Sequence, residues 1–225
     1  MEFVQWSKAN YPARRYMLIV WNHGDGWTYS PFRFQEEETT KYISWDMKTG
    51  NRISIPQLAQ VLNETGGTDI YASDACLMQM ASVVYEIFES AQYIVGSEEA
   101  EHGEGYPYNY LLYYLAQNPG MSTEDAANMI PDVFAQYYLA AGKGATLSAI
   151  RSNTVPTFAK LVNDWATALM YYGDEADIVL DAAKNAQLYW QHPSNRDLYH
   201  FIQLVMSKSK NLTVVSFGQC VLNYM

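Results

Sequence analysis

An α/β fold, a mostly parallel sheet flanked by helices with a largely helical C-terminal half, follows from three observations on the sequence. Short apolar runs at 15–21, 69–72 and 93–96 alternate with segments of helical period. Each run stops at a cluster of polar and glycine residues, at 22–27, 73–76 and 97–105. Beyond residue 107 the periodicity turns almost wholly helical. Strands buried on both faces of a parallel sheet read as continuous hydrophobic runs, and strand–helix–strand alternation covers such a sheet with helices. Open sheets of this kind bind ligands beyond the carboxyl ends of their strands. The three polar clusters are therefore expected to share one site.

Taken in order, residues 2–10 have a helical pattern that ends at Asn10-Tyr11-Pro12. Arg15 to Trp21 is the first buried strand. Residues 28–52 are polar and are expected to form a loop, and Ser54 caps a helix through Leu62 whose Ile55, Leu58, Val61 and Leu62 share one stripe. Thr65-Gly66-Gly67-Thr68 breaks that helix before the second strand. Residues 78–92 are helical, 93–96 form the third strand, and a further strand at 146–150 sits among helices expected at 107–117, 123–140, 154–171, 175–190 and 196–208. Residues 1–120 are expected to form the core, with 121–225 a mostly helical extension packed on it.

The chain of 225 residues suffices for one sizeable domain, and 49% hydrophobic with 17% charged residues excludes a disordered protein. No run approaches the ~18–20 apolar residues of a membrane span. Residues 1–6 carry no basic, apolar leader pattern, so no signal peptide is visible in this chain. The net charge of −10 argues against nucleic-acid binding, which needs a basic footprint. It accords with solubility and is compatible with cationic substrates. Cys76 and Cys220 are too few for a disulfide framework.

His23 and Cys76 each follow a strand, with room between them for a crossover helix that would bring both to one sheet edge. A cysteine needs a base, a cationic neighbour or a helix N-terminus to become nucleophilic, and a helix is expected within a few residues of Cys76. On spacing alone, a buried cysteine and a hydrogen-bonded scaffold histidine remain the competing reading. No Gly-x-Ser-x-Gly elbow, phosphate loop or dinucleotide fingerprint is present.

His23-Gly24-Asp25-Gly26-Trp27, Asp74-Ala75-Cys76-Leu77-Met78, Ser97-Glu98-Glu99 and Gly103-Glu104-Gly105-Tyr106-Pro107-Tyr108, in that order, resemble the clostripain family of caspase-like cysteine peptidases, which cut after Arg or Lys. Tyr11-Pro12-Ala13, Thr146 to Ile150 and Asp197-Leu198-Tyr199 extend the similarity along nearly the whole chain. The resemblance implies a caspase-like catalytic core and a dyad of His23 as general base and acid with Cys76 as nucleophile. Backbone N–H groups of Gly24 and Cys76 would hold the oxyanion. Asp74 and Glu104 would bind the substrate's basic side chain, Glu standing where many relatives carry Asp. Autoprocessing would fall in the loop 28–52, after Arg33 or Lys41.

No cofactor is implied as required. Calcium, used by some members, is a candidate for the Glu98, Glu99, Glu101, His102, Glu104 run, although its spacing fits no defined calcium loop. The implied partner is a peptide or protein with Arg or Lys at the cleavage site. The family's N-terminal strands are missing from this chain on the same comparison, which would leave the strand ending at Trp21 with an unpaired edge. A segment carrying those strands is a further partner, and the parent protein would be secreted or periplasmic. His102, His192 and His200 are expected to be non-catalytic, Cys220 a small core residue, and Tyr106 a packing residue or a lining of the pocket entrance. Two alternatives stand beside this reading: a related cysteine hydrolase with a different first-site preference, and a catalytically silent binding module.

Overall fold

The computed structural model describes residues 1–27, 42–171, 175–189 and 192–225. They divide into two compact units, Met1–Asn153 and Thr154–Met225.

The first unit is built on a four-stranded sheet. Strand β1 (Met17–Trp21) pairs in parallel with β4 (Thr68–Asp74), which pairs in parallel with β5 (Ala91–Gly96); β6 (Ser148–Arg151) closes the order antiparallel to β5. Register runs from Met17 opposite Ile70 to Trp21 opposite Asp74. The last five residues of β4, Ile70 to Asp74, are all buried, which is why this strand shows no polar alternation. Among the described residues β1 and β6 are the edge strands of this sheet.

Helix α1 (Glu2–Asn10) precedes the sheet and is tethered by Lys8, whose ammonium donates to the carbonyls of Thr65 and Gly67. Helix α2 (Ile55–Glu64) starts with a reciprocal cap, since the Ser54 hydroxyl accepts from the Gln57 N–H while the Gln57 side chain accepts from the Ser54 N–H. Helix α3 (Ala81–Ile87) carries the chain from β4 to β5. Successive crossovers in one direction put α2 and α3 on the same face. The other face, with Ile70, Ala72 and Val95, packs against Tyr106 and against Ile130 and Phe134 of α5 (Thr123–Ala140), which follows α4 (Tyr108–Gln117).

Three features depart from expectation in this unit. The segment expected to be loop to residue 52 contains β2 (Tyr42–Trp45), which forms a bulged antiparallel hairpin with β3 (Arg52–Ser54). The helix expected at 78–92 is shortened to α3 and a 3-10 turn at Phe88–Ser90, because a turn precedes it and β5 begins at Ala91. The compact unit extends to Asn153 rather than to 120, because α5 packs on the sheet and β6 is part of it.

The second unit comprises α6 (Val155–Tyr171), α7 (Ala176–Asn185), a small antiparallel pair β7 (Leu188–Tyr189) and β8 (His192–Arg196), α8 (Leu198–Lys208) and α9 (Leu212–Tyr224). It has its own core, in which Ile202, Val205, Val214 and Val221 are fully buried around Trp165. Cys220 lies on the exposed face of α9, between the buried Gly218 and Val221, so it is not the core residue expected.

Candidate active site

Three strand ends converge on one cleft of about 330 Å³. Trp21, Asn22 and His23 come from the end of β1, Asp74, Ala75 and Cys76 from the end of β4, and Glu101, His102, Gly103 and Gly105 from the segment after β5. Parallel strands in register deliver their carboxyl ends to the same edge, so the polar clusters meet there despite their separation in sequence.

His23 is fixed through its backbone. Its N–H donates to Asn22 Oδ1 at 2.6 Å, and the same oxygen accepts the Trp45 N–H at 3.2 Å. The hairpin β2–β3 reaches this segment through a bridge between Gly24 and Ile43, held by Ser44 N–H to His23 O and Asp25 N–H to Tyr42 O. Both bonds belong to the flanking residues, so the bridge does not consume the Gly24 N–H. The Trp45 ring lies 6.1 Å from the His23 ring, with the Arg52 guanidinium stacked over Trp45 and Tyr42. Asn22 and this aromatic wall were not singled out from the sequence. An Asn immediately before the His was the available signal.

Cys76 sits in a tight turn that contains Leu77 at φ +62°. Helix α3 begins five residues later and has only seven residues, so the thiol is not at a helix N-terminus as expected. The segment after β5 supports the turn instead: Leu77 N–H donates to Glu99 O, Gln79 N–H to Ser97 O, and the Glu101 N–H to Cys76 Sγ at 3.2 Å. Burial pushes the Cys76 thiol up, the Glu101 N–H opposes that, and the Glu101 and Asp25 carboxyl groups add to the rise. Burial thus favours the neutral thiol over the thiolate in this turn. Gly24 is required here by contact, since a Cβ on it would lie 2.4 Å from the Cys76 carbonyl oxygen.

Asp74 forms the acidic floor and is buried. Its Oδ2 accepts the Tyr106 N–H at 3.0 Å and the Tyr108 hydroxyl at 2.7 Å. Gly105, at φ +63°, packs directly on this carboxylate, where a Cβ would come within 2.7 Å of Oδ1. Tyr106 is buried under the floor, its hydroxyl donating to Ser73 O, so it does not line the entrance.

The structure does not bring Glu104 to the cleft. Its half-exposed side chain turns outward to pair with Lys143, which holds the carboxyl below its ordinary range. The acid that lines the cleft beside Asp74 is Glu101, passed over in the sequence as one of several carboxylates in a polar run. Arg33 and Lys41 lie outside the described residues. His102 lines the cleft, but its Nε2 meets the Gly144 carbonyl at 2.8 Å and its ring stacks on Tyr138. His200 Nδ1 accepts the Gln187 N–H, far along the chain in the second unit.

The acidic run does not fit a calcium site. Glu98 accepts from Ser148, Glu104 pairs with Lys143 and Glu101 faces Asp74, so its carboxylates diverge. No group of three metal-ligating side chains converges among the described residues.

A profile of the clostripain family matches residues 1–220. The chain belongs to the clostripain family. It is 29% identical over 135 residues to clostripain of Hathewaya histolytica, a match that covers 55% of this chain and 25% of that protein. Among solved structures it resembles a secreted C11 cysteine protease of Bacteroides thetaiotaomicron captured with an irreversible peptide inhibitor, at a TM-score of 0.71 and 24% identity over 98% of this chain and 59% of the other. An inactive zymogen C11 protease of Parabacteroides distasonis gives a TM-score of 0.67 at 21% identity, covering 97% and 56%. These likenesses establish the caspase-like fold of the clostripain family. The chain spans about a quarter of the length of clostripain and under two thirds of these two structures.

Proposed function

We propose that this member of the clostripain family is a cysteine endopeptidase that cleaves after Arg or Lys through His23 and Cys76. The observation that carries the reading is the shared cleft: an imidazole and a thiol from neighbouring parallel strands open into it above a buried carboxylate. Because burial favours the neutral thiol, His23 removes the proton as the sulfur attacks the scissile carbonyl. The resulting oxyanion takes the N–H groups of Gly24, left over by the β2 bridge, and of Cys76. Each such donor is worth roughly a hundred- to a thousandfold in rate. His23 then gives its proton to the departing amine and activates the water that hydrolyses the thioester.

Asp74 accounts for the selectivity. It already holds two hydrogen bonds, and among the described residues no Lys or Arg lines the cleft to pair its charge. A neutral substrate side chain would bury that charge without compensation, a penalty on the order of 2–5 kcal/mol. Export of this protein is proposed in keeping with the Bacteroides protease described as secreted. Cleavage after Arg33 or Lys41, within residues 28–52, is proposed as self-processing by the same specificity.

Fluorogenic peptides ending in Arg, Lys, Asp and Leu test the proposal on the unsubstituted chain and on Cys76→Ala. Release after Arg or Lys that vanishes in Cys76→Ala is expected. Release only after Asp or Leu would replace the assigned preference, and silence from a folded sample would leave a binding module.

A further inference from the structure

The cleft holds a second carboxyl group whose state Asp74 alone does not explain. The Glu101 side chain lines the cleft while its backbone N–H rests on Cys76 Sγ. Both of its carboxyl oxygens are sealed from solvent; the Ala75 N–H is the one donor that favours its charge, and it makes no well-aligned hydrogen bond to either oxygen. The group they face is another acceptor, the Asp74 carboxyl, at hydrogen-bonding range. Two carboxylates share a hydrogen bond only when a proton lies between them. Asp74 Oδ2 takes donors from Tyr106 and Tyr108 that favour a charged oxygen, so the proton resides on Glu101. Consistently, burial and then Asp74 push Glu101 up to about 9.

The surroundings supply no cation that would reverse this. Asp74 and Glu98 are the charged groups that act on Glu101, and Cys76, Tyr106, Tyr108 and Tyr138 feel it in return. The imidazoles of His23 and His102 line the same cleft. An empty cleft that retains one proton avoids two adjacent buried negative charges, which the protein interior would penalise heavily.

We propose that Glu101 is a second specificity residue of this cleft: neutral through a proton shared with Asp74 when the cleft is empty, and ionised when a guanidinium or ammonium side chain enters. This rests on the Arg/Lys reading and adds to it. In the exchange the Glu101 O–H bond breaks, the proton passes to solvent, and the substrate cation takes its place between two carboxylates. A neutral side chain cannot drive that exchange. Linkage then makes cation binding stronger as pH rises, by up to about tenfold per pH unit below the titration of the pair.

Calorimetric titration of benzamidine into the Cys76→Ser chain, in two buffers of different ionisation enthalpy, counts the protons released. The serine keeps an acceptor for the Glu101 N–H. Release approaching one proton per benzamidine at neutral pH is expected, with affinity rising severalfold to tenfold per pH unit. Both effects are expected to disappear in Glu101→Gln, whose amide still donates to Asp74. Binding without proton release, or release that persists in Glu101→Gln and so belongs to His23 or His102, overturns the proposal and leaves the Arg/Lys reading intact. Absence of benzamidine binding, together with absence of Arg/Lys cleavage by the unsubstituted chain, overturns both. The parent measurement does not depend on Glu101→Gln folding.

Discussion

At Cys76 the chemistry is set by opposing local forces. Burial, the largest cause, holds the proton on sulfur, while one backbone N–H favours the thiolate. The rate of Cys76 alkylation by iodoacetamide, followed against pH, is therefore expected to have its midpoint above the ordinary thiol value; a midpoint below it would indicate a preformed ion pair with His23 instead. Asp74→Asn preserves shape and removes the charge. It is expected to lower kcat/KM for Arg and Lys peptides by an amount equivalent to ~2–5 kcal/mol with little effect on neutral ones. Equal losses on both substrate classes would assign Asp74 a structural role. Gly24→Ala drives a Cβ to 2.4 Å from the Cys76 carbonyl, so activity is expected to fall through displacement of the nucleophile's turn. Which acid serves the cleft was hidden at this scale. Glu98, Glu99, Glu101 and Glu104 are equivalent as letters, and only the left-handed turn at Gly105, with Tyr106 buried beside it, decides which one faces inward.

Among the elements, the site depends on pieces whose sequence signals differ greatly in strength. The strands that deliver His23 and Cys76 were legible as short apolar runs; β4 is buried along its last five residues, whereas β1 at the sheet edge is only half-buried. Helix α2 was legible from its cap and stripe, and Ser54→Ala is expected to cost ~0.5–2 kcal/mol by chemical denaturation while leaving the cleft intact. The β2–β3 hairpin was not legible. Its strands have four and three residues, one of them carries Ser44 at φ +64°, and a bulge disrupts their register. Helix α9 was missed for another reason. Gly218 disfavours a helix interior by propensity, yet it is needed there because a Cβ would lie 2.8 Å from Met206. In the segment after β5, Gly105→Ala would strain a left-handed residue and press on Asp74, so loss of Arg/Lys selectivity is expected there alongside loss of stability.

Across the whole molecule, the buried proton has a thermodynamic signature. Glu101 keeps its proton in the folded chain to about pH 9, whereas the unfolded chain releases it near its ordinary value of 4.5. Between those values the folded state binds more protons, so this group's contribution to stability is complete below the lower value and declines as pH rises toward the upper one. Denaturation of the unsubstituted chain at acid and mildly alkaline pH is expected to show that decline, and Glu101→Gln to flatten it. Identical pH dependence in the two proteins would contradict a neutral Glu101. The division at Asn153 was not visible in the sequence, because α5 and the helices after it carry the same period and only the sheet contacts of α5 and β6 assign them to the first unit.

The most direct test of the proteolytic site is covalent. A peptidyl chloromethyl ketone ending in Arg and its Leu counterpart can be compared by mass spectrometry for rate and position of labelling, with the exposed Cys220 as an internal reference. The account predicts modification of Cys76 alone, dependent on His23 and at least about thirtyfold faster with Arg, as expected from the lower end of the charge penalty. Equal rates for the two reagents, or labelling of Cys220 in preference to Cys76, would contradict it.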